Sequence, residues 1–145
     1  MNNSITSKME DYLEALLNIF EKKNIIRVKD IAFEMNVKMP TVNKMLNSLS
    51  EKEYIIYTKY EDIKLTAKGI NSAKSIKYRH NTIKNFLEDY LLIDKQTAEE
   101  EACLMEHCLS DKSLKRISCL MTFLCTINDN NEGWQNEFQK HINHS

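Results

Sequence analysis

Asp30-Ile-Ala-Phe-Glu-Met35 and Pro40-Thr-Val-Asn-Lys-Met-Leu-Asn-Ser-Leu49 decide the fold of this chain. The first reads as a short helix stopped by Asn36. The second opens on Pro40, whose fixed φ suits a first helical turn, and carries Val42, Met45, Leu46 and Leu49 at the three-and-four spacing of a buried stripe. Two short helices joined by a tight turn are a helix-turn-helix. Immediately downstream, Tyr54-Ile-Ile-Tyr-Thr58 and Ile63-Lys-Leu65 flank the polar tip Lys59-Tyr-Glu-Asp62, which reads as a two-stranded hairpin, the wing of a winged helix-turn-helix.

Working outward, Ser7-Lys-Met-Glu10 reads as a capping box that opens a helix with Leu13, Leu16, Leu17 and Phe20 on one face, ended by Glu21-Lys-Lys-Asn24. On the other side, Thr66 is expected to cap a long helix reaching about Leu91, with Ile70, Ala73, Ile76, Ile83, Phe86 and Leu87 as its apolar positions. Thr97-Ala-Glu-Glu100 reads as a second capping box opening a helix through His107, and a further helix starts near Ser110 with Leu114, Ile117, Leu120, Met121 and Leu124. From Ile127 onward the chain turns polar and Asn-rich, so the tail is expected to be mobile or weakly helical. The expected fold is mainly α: a winged helix-turn-helix over residues 1–74, then an all-helical domain over residues 75–145 with a polar C-terminal tail.

Composition agrees. Two Gly and one Pro in 145 residues, with 42% hydrophobic content, describe a helix-rich globular chain too short for most large enzyme folds. A start of Met-Asn-Asn-Ser, and the lack of 18 consecutive apolar residues, predict a cytoplasmic protein without a membrane partner. Cys103, Cys108, Cys119 and Cys125 form no Cys-x-x-Cys pair, and in a reducing compartment they are read mostly as core thiols. The formal net charge of -1 divides unevenly, +2 over residues 1–76 and -3 over residues 77–145, an asymmetry too small to identify nucleic acid as the partner.

The case for DNA rests on pattern. A recognition helix needs an apolar inner face and a short polar outer face near its N-terminus, where side chains reach base edges. Here Lys38, Thr41, Asn43, Lys44 and Asn47 can face out: the two lysines suit phosphate or guanine, and Thr41 and Asn43 suit base or backbone contacts. Glu61 and Asp62 at the wing tip would repel phosphate, so wing contacts are assigned only to Lys59 and Lys64.

A second constellation carries different chemistry. Cys103, Glu106 and His107 fall at i, i+3 and i+4, on one face of a helix, where thiolate, carboxylate and imidazole can converge on one ion. Asp11 and Glu14 repeat the i, i+3 spacing on the first helix, and His80 stands alone on the long helix. Each group by itself also suits a solvated helix charge, a small core residue or a surface imidazole. A metal-dependent hydrolase is disfavoured, because no general base beside an open pocket can be recognised, and the chain is read as a non-enzyme.

These residues resemble the DtxR/MntR family of metal-dependent repressors over about residues 7–125. The resemblance is carried by Met9-Glu-Asp-Tyr-Leu-Glu14, Arg27-Val-Lys-Asp-Ile-Ala32, Thr41-Val-Asn-Lys-Met45, Tyr54-Ile-Ile-Tyr57, Leu65-Thr-Ala-Lys-Gly69, Tyr78-Arg-His80 and Glu101-Ala-Cys-Leu-Met-Glu-His-Cys-Leu-Ser110. It implies that Asp11, Cys103, Glu106 and His107 hold one metal, with Glu14 and His80 completing or adding to the site. It also implies a helical dimerisation domain and a homodimer that meets a palindromic double-stranded operator. The chain stops too early for the SH3-like third domain of the longer iron-dependent members and looks like the short, two-domain manganese type.

Three departures limit what carries over. Manganese members usually have Glu where this chain has Cys103, and iron members pair that Cys with Met where this chain has Asp11, so the donor set is a hybrid. A carboxylate one turn after the histidine is replaced by Lys84, whose ammonium opposes a nearby cation, with Glu99 a partial substitute. An Arg-Gly pair common in the wing is replaced by Glu61-Asp62. The expected protein is a repressor controlling transition-metal homeostasis, activated for operator binding by Mn(II) or Fe(II), other divalent transition metals being compatible. The rival expectation is a winged-helix regulator that answers to an organic ligand or to the redox state of Cys103.

Overall fold

The structure, a computed structural model, describes residues 5–58, 61–128 and 134–144. The chain divides into two compact units, Met1–Lys77 and Tyr78–Ser145. The first contains α1 (Ser7–Lys23), α2 (Val28–Glu34), α3 (Met39–Glu51), β1 (Ile55–Ile56), β2 (Lys64–Leu65) and the first half of α4 (Ala67–Asn85).

Helix α1 begins one residue earlier than the Ser7 capping box implies. Thr6 is the N-cap, and its hydroxyl accepts from the Met9 amide at 3.3 Å. Consecutive Thr and Ser can both cap, and the helix that follows buries Met9, Tyr12, Leu13, Leu16 and Leu17 on one face. Asn24, left-handed at φ 56°, ends the helix as expected. Helix α2 starts at Val28 rather than Asp30, and Asn36 at φ 50° breaks the chain before α3. In α3, Val42, Leu46 and Leu49 are fully buried while Lys38, Thr41, Asn43, Lys44 and Asn47 are exposed. Burying each of those three apolar side chains contributes roughly 1.5–3 kcal/mol, which holds the helix against α1 and α2 by its inner face.

The hairpin is shorter than its apolar runs: Ile55 pairs with Leu65 and Ile56 with Lys64, antiparallel. A bridge between Ile26 and Ile63 adds the segment after α1 to its edge. Thr66 caps α4 as expected, its hydroxyl accepting from the Gly69 amide at 3.0 Å and donating to the Glu53 and Tyr54 carbonyls. That bond draws the first turn of α4 onto the α3–β1 connection. A Cβ at Gly69 would lie 1.9 Å from the Tyr54 carbonyl oxygen, so only glycine permits the approach.

The second unit holds the end of α4, a π-helical turn (Phe86–Tyr90), α5 (Lys95–Met105), α6 (Asp111–Asn128) and α7 (Trp134–Asn143). Its core is Ile83, Leu87, Ala98, Ala102 and Leu114. Ala98 and Ala102, one turn apart and fully buried, let α5 come close to the end of α4. The Thr97 capping box is not used: Asp94 is the N-cap and accepts from the Thr97 amide at 3.0 Å, and hydrogen bonding from the Thr97 side chain, then from its amide, holds the carboxyl below the usual aspartate range. Ser110 accepts from the Ser113 amide and starts α6 as expected.

The expectation of core thiols is corrected. All four cysteines are exposed, and the core of the second unit is built from Ile83, Leu87, Ala98, Ala102 and Leu114 instead. Beyond the undescribed residues the tail takes the helical of its two expected forms: no residue of α7 is buried, but Trp134 stacks on Tyr90 with centroids 5.8 Å apart and Gln135 bonds the Asp89 carbonyl. Among the described residues no helix is long and apolar enough to cross a membrane.

Candidate metal centre and nucleic-acid face

The metal-ligand candidates of the second unit come from two elements. Helix α4 supplies His80. Helix α5 supplies Cys103, and the turn after it supplies Glu106 and His107, the helix having ended at Met105 instead of running through His107. The Glu106 amide still bonds the Ala102 carbonyl at 3.0 Å, so the helical spacing of the triplet survives this early end.

Glu106 is the centre of the cluster, 2% exposed. Its Oε2 lies 2.8 Å from His80 Nδ1, and its Oε1 lies 3.4 Å from His107 Nε2. Cys103 Sγ is 3.9 Å from the same Nδ1 of His80. The two Glu106 oxygens thus meet imidazoles from α4 and from the turn after α5, while the Cys103 sulfur reaches the His80 ring.

The donor set fits a divalent cation. A carboxylate this deeply buried ordinarily accepts several hydrogen bonds, yet among the described residues no donor reaches Glu106 Oε1 in hydrogen-bond geometry. Imidazole, carboxylate and thiolate together suit first-row transition metals better than Mg(II) or Ca(II).

Around this cluster stand two residues of opposite charge. Glu99 Oε1 is 3.2 Å from His80 Nε2, and its Oε2 receives the Lys84 ammonium at 2.5 Å. The Lys84 hydrogen bond holds the Glu99 carboxyl below its usual range, and the same bond raises Lys84 above the ordinary lysine value. Arg79, beside His80, turns its guanidinium to the end of α5. It donates to the Glu106 carbonyl at 3.1 and 2.8 Å and to the Leu109 carbonyl, and pairs with Asp111 at 2.5 Å.

In the first unit, Asp11 and Glu14 sit one turn apart on α1 and are half-buried, at the edge of the buried stripe of Tyr12, Leu13 and Leu16. On α3 all five proposed DNA-facing residues are exposed. Asn43 Oδ1 accepts from the Tyr57 hydroxyl at 3.1 Å, tying the helix to the hairpin. Between them opens a groove of about 720 Å³, lined in part by Arg27, Met39, Asn43, Asn47 and Tyr57. Lys64 is exposed on β2, and Lys59 lies outside the described residues.

Residues 4–63 match the N-terminal DNA binding domain of the iron dependent repressor family, and residues 66–134 match its metal binding and dimerisation domain. The chain belongs to the DtxR/MntR family of metal-dependent repressors. An uncharacterized HTH-type transcriptional regulator of Methanocaldococcus jannaschii is 42% identical over 118 residues, covering 81% of this chain and 94% of its own length. The HTH-type transcriptional regulator MntR of Bacillus pumilus is 37% identical over the same length, covering 81% of each chain. Among solved structures, the manganese regulator SloR superposes with a TM-score of 0.71 at 30% identity over 82% of this chain. This chain spans 55% of the length of that SloR chain.

As a DtxR/MntR protein the chain is a metal-responsive DNA-binding repressor and not an enzyme, and its partners are operator DNA and a second copy of itself. Two residues of this repressor escaped the sequence reading. Arg79 was visible only as the neighbour of His80, and its reach to a carbonyl 27 positions away has no local signal. Tyr57 reads as an ordinary strand residue, and its bond to Asn43 depends on the hairpin folding back over α3.

Proposed function

We propose that this repressor governs transition-metal homeostasis in the cytoplasm, binding its operator when Mn(II) or Fe(II) is held by Asp11, Glu14, His80, Cys103, Glu106 and His107. Residues 1–74 form the DNA-binding domain and residues 75–145 the metal-binding and dimerisation domain. The observation that carries the reading is Glu106, buried, with one oxygen on His80 and the other without a hydrogen-bond donor among the described residues.

The Cys103 thiolate favours Fe(II) and its softer neighbours, while Asp11, Glu14 and Glu106 favour Mn(II). A bound cation would neutralise these carboxylates and join α1 to the helices of the second domain. The residues of the chain do the rest. His80 and Glu106 hold each other in register, Leu120 and Phe123 on α6 offer an exposed apolar face to the second protomer, and Lys38, Thr41, Asn43, Lys44, Asn47, Lys59 and Lys64 contact the duplex. Metal that favours the DNA-binding geometry must raise DNA affinity, and by linkage DNA raises metal affinity by the same factor. Residence in the cytoplasm follows from the operator as partner.

Gel-shift titration under anaerobic conditions, with Mn(II) or Fe(II) added to apo protein and operator DNA, tests the proposal. Metal should tighten the complex for the native chain and leave Cys103→Ala and His107→Ala unstimulated but folded. Stimulation that persists in both variants, or that requires an oxidant and no metal, refutes the assignment.

A further inference from the structure

His80 is held from both edges of its ring. Nδ1 faces Glu106 Oε2 at 2.8 Å and Cys103 Sγ at 3.9 Å, while Nε2 faces Glu99 Oε1 at 3.2 Å. The other Glu99 oxygen receives Lys84 at 2.5 Å. Lys84 stands one turn after His80 on α4, and Glu99 one turn before Cys103 on α5. Lys84, Glu99, His80 and Glu106 thus form one line of alternating character: ammonium, carboxylate, imidazole, carboxylate.

We propose that Lys84 is a built-in cation of the metal centre with two effects: through Glu99 it positions His80 for coordination through Nδ1, and it fills the place where Glu99 and His80 Nε2 could hold a second ion. The centre therefore takes one metal per chain. The inference rests on the proposed reading of His80 and Glu106 as ligands. A carboxylate on the far nitrogen of a ligating imidazole fixes its tautomer and strengthens its donation, and losing such a partner weakens metal affinity about 10–100-fold. Glu99 is half exposed at its side chain, so without an anchor it would swing into water; Lys84, with its side chain 23% exposed, is that anchor. The same ammonium repels any dication brought to the oxygens it already occupies.

Calorimetric titration of the full-length apo dimer with Mn(II), and with Co(II) as a spectroscopic probe, tests this. The native chain should bind one equivalent per chain. Lys84→Met and Glu99→Ala should each weaken that binding, by about 10-fold or more, with the Cys103 thiolate-to-Co(II) absorption band retained, and Lys84→Arg should restore it. Lys84→Glu should gain a second, weaker equivalent. A native chain that binds two equivalents, or affinity unchanged in both Lys84→Met and Glu99→Ala, overturns the inference while leaving the metal reading intact. A native chain that binds none ends both.

Discussion

Arg79 Nη2 donates to the backbone carbonyl of Glu106 at 2.8 Å, so the residue beside one candidate ligand grips the peptide of another. The same guanidinium takes the Leu109 carbonyl and the Asp111 carboxylate. The Glu106 carbonyl caps the C-terminal end of α5, where the helix dipole favours a cation. One side chain therefore closes the turn that carries Glu106 and His107, and keeps it at a set distance from α4.

Replacing Arg79 by Met should loosen that turn without removing a donor. Metal affinity is expected to fall about 10–100-fold, in the range seen when groups supporting ligands are lost, with operator binding recovered at high metal. Apo stability should drop by about 2 kcal/mol, the scale of charge-assisted hydrogen bonds to buried carbonyls. Denaturant unfolding beside a metal titration checks both; native metal affinity in Arg79→Met would show that the turn holds itself.

Glu106→Gln keeps volume and removes the buried charge. Apo protein should be as stable as the native chain or more so, because a carboxylate with an unmet oxygen is expensive to bury. The rise in melting temperature that metal confers on the native protein should disappear. Thermal melts with and without Mn(II) decide the matter, and a retained metal-induced rise would exclude Glu106 as a principal ligand.

On the DNA face, charge and shape should separate. Lys44→Ala is expected to weaken binding to all sequences alike and to lower the salt slope by about one counterion. Asn47→Ala should instead cost about 1–3 kcal/mol at particular base pairs and relax sequence preference there. Tyr57→Phe frees Asn43 from its hydrogen bond and should change base preference with little effect on salt dependence. Competition binding across operator variants at two or more salt concentrations distinguishes these outcomes; a uniform loss in Asn47→Ala would make it a backbone contact.

Gly69→Ala places a methyl group 1.9 Å from the Tyr54 carbonyl oxygen, which must push α4 away from the hairpin. Overpacking of this kind typically costs about 1–3 kcal/mol and here falls on backbone that has little room to yield. The variant should unfold at lower denaturant and bind operator poorly even with metal present. Equilibrium denaturation measures it, and stability within about 0.5 kcal/mol of native would mean that the approach relaxes without strain.

Much of this architecture was legible in order along the chain. The stripe of Val42, Leu46 and Leu49, the Asn24 and Asn36 stops, and the Thr66 and Ser110 caps each appear where periodicity and capping chemistry place them. Helix starts were less secure, because Thr6 competes with Ser7, and Asp94 with Thr97. The cap in each case is the residue whose side-chain oxygen meets a free first-turn amide, Thr6 on Met9 and Asp94 on Thr97. The cysteines are exposed rather than core because the interior of the second unit is taken by Ala98, Ala102 and Leu114, a choice that helical spacing alone leaves open.

What the amino-acid order determined by itself is everything that spacing within one helix can express: the outward polar set of α3, the Asp11 and Glu14 pair, and the Cys103, Glu106 and His107 triplet. Only the tertiary structure decided that His80 lies between Glu106 and Glu99, that Lys84 anchors the outer end of that line, and that Arg79 clamps its inner turn. Periodicity is a property of one helix, whereas the separation between α4 and α5 is set by how closely Ala98 and Ala102 pack against Ile83 and Leu87, a matter of volume that no local pattern encodes.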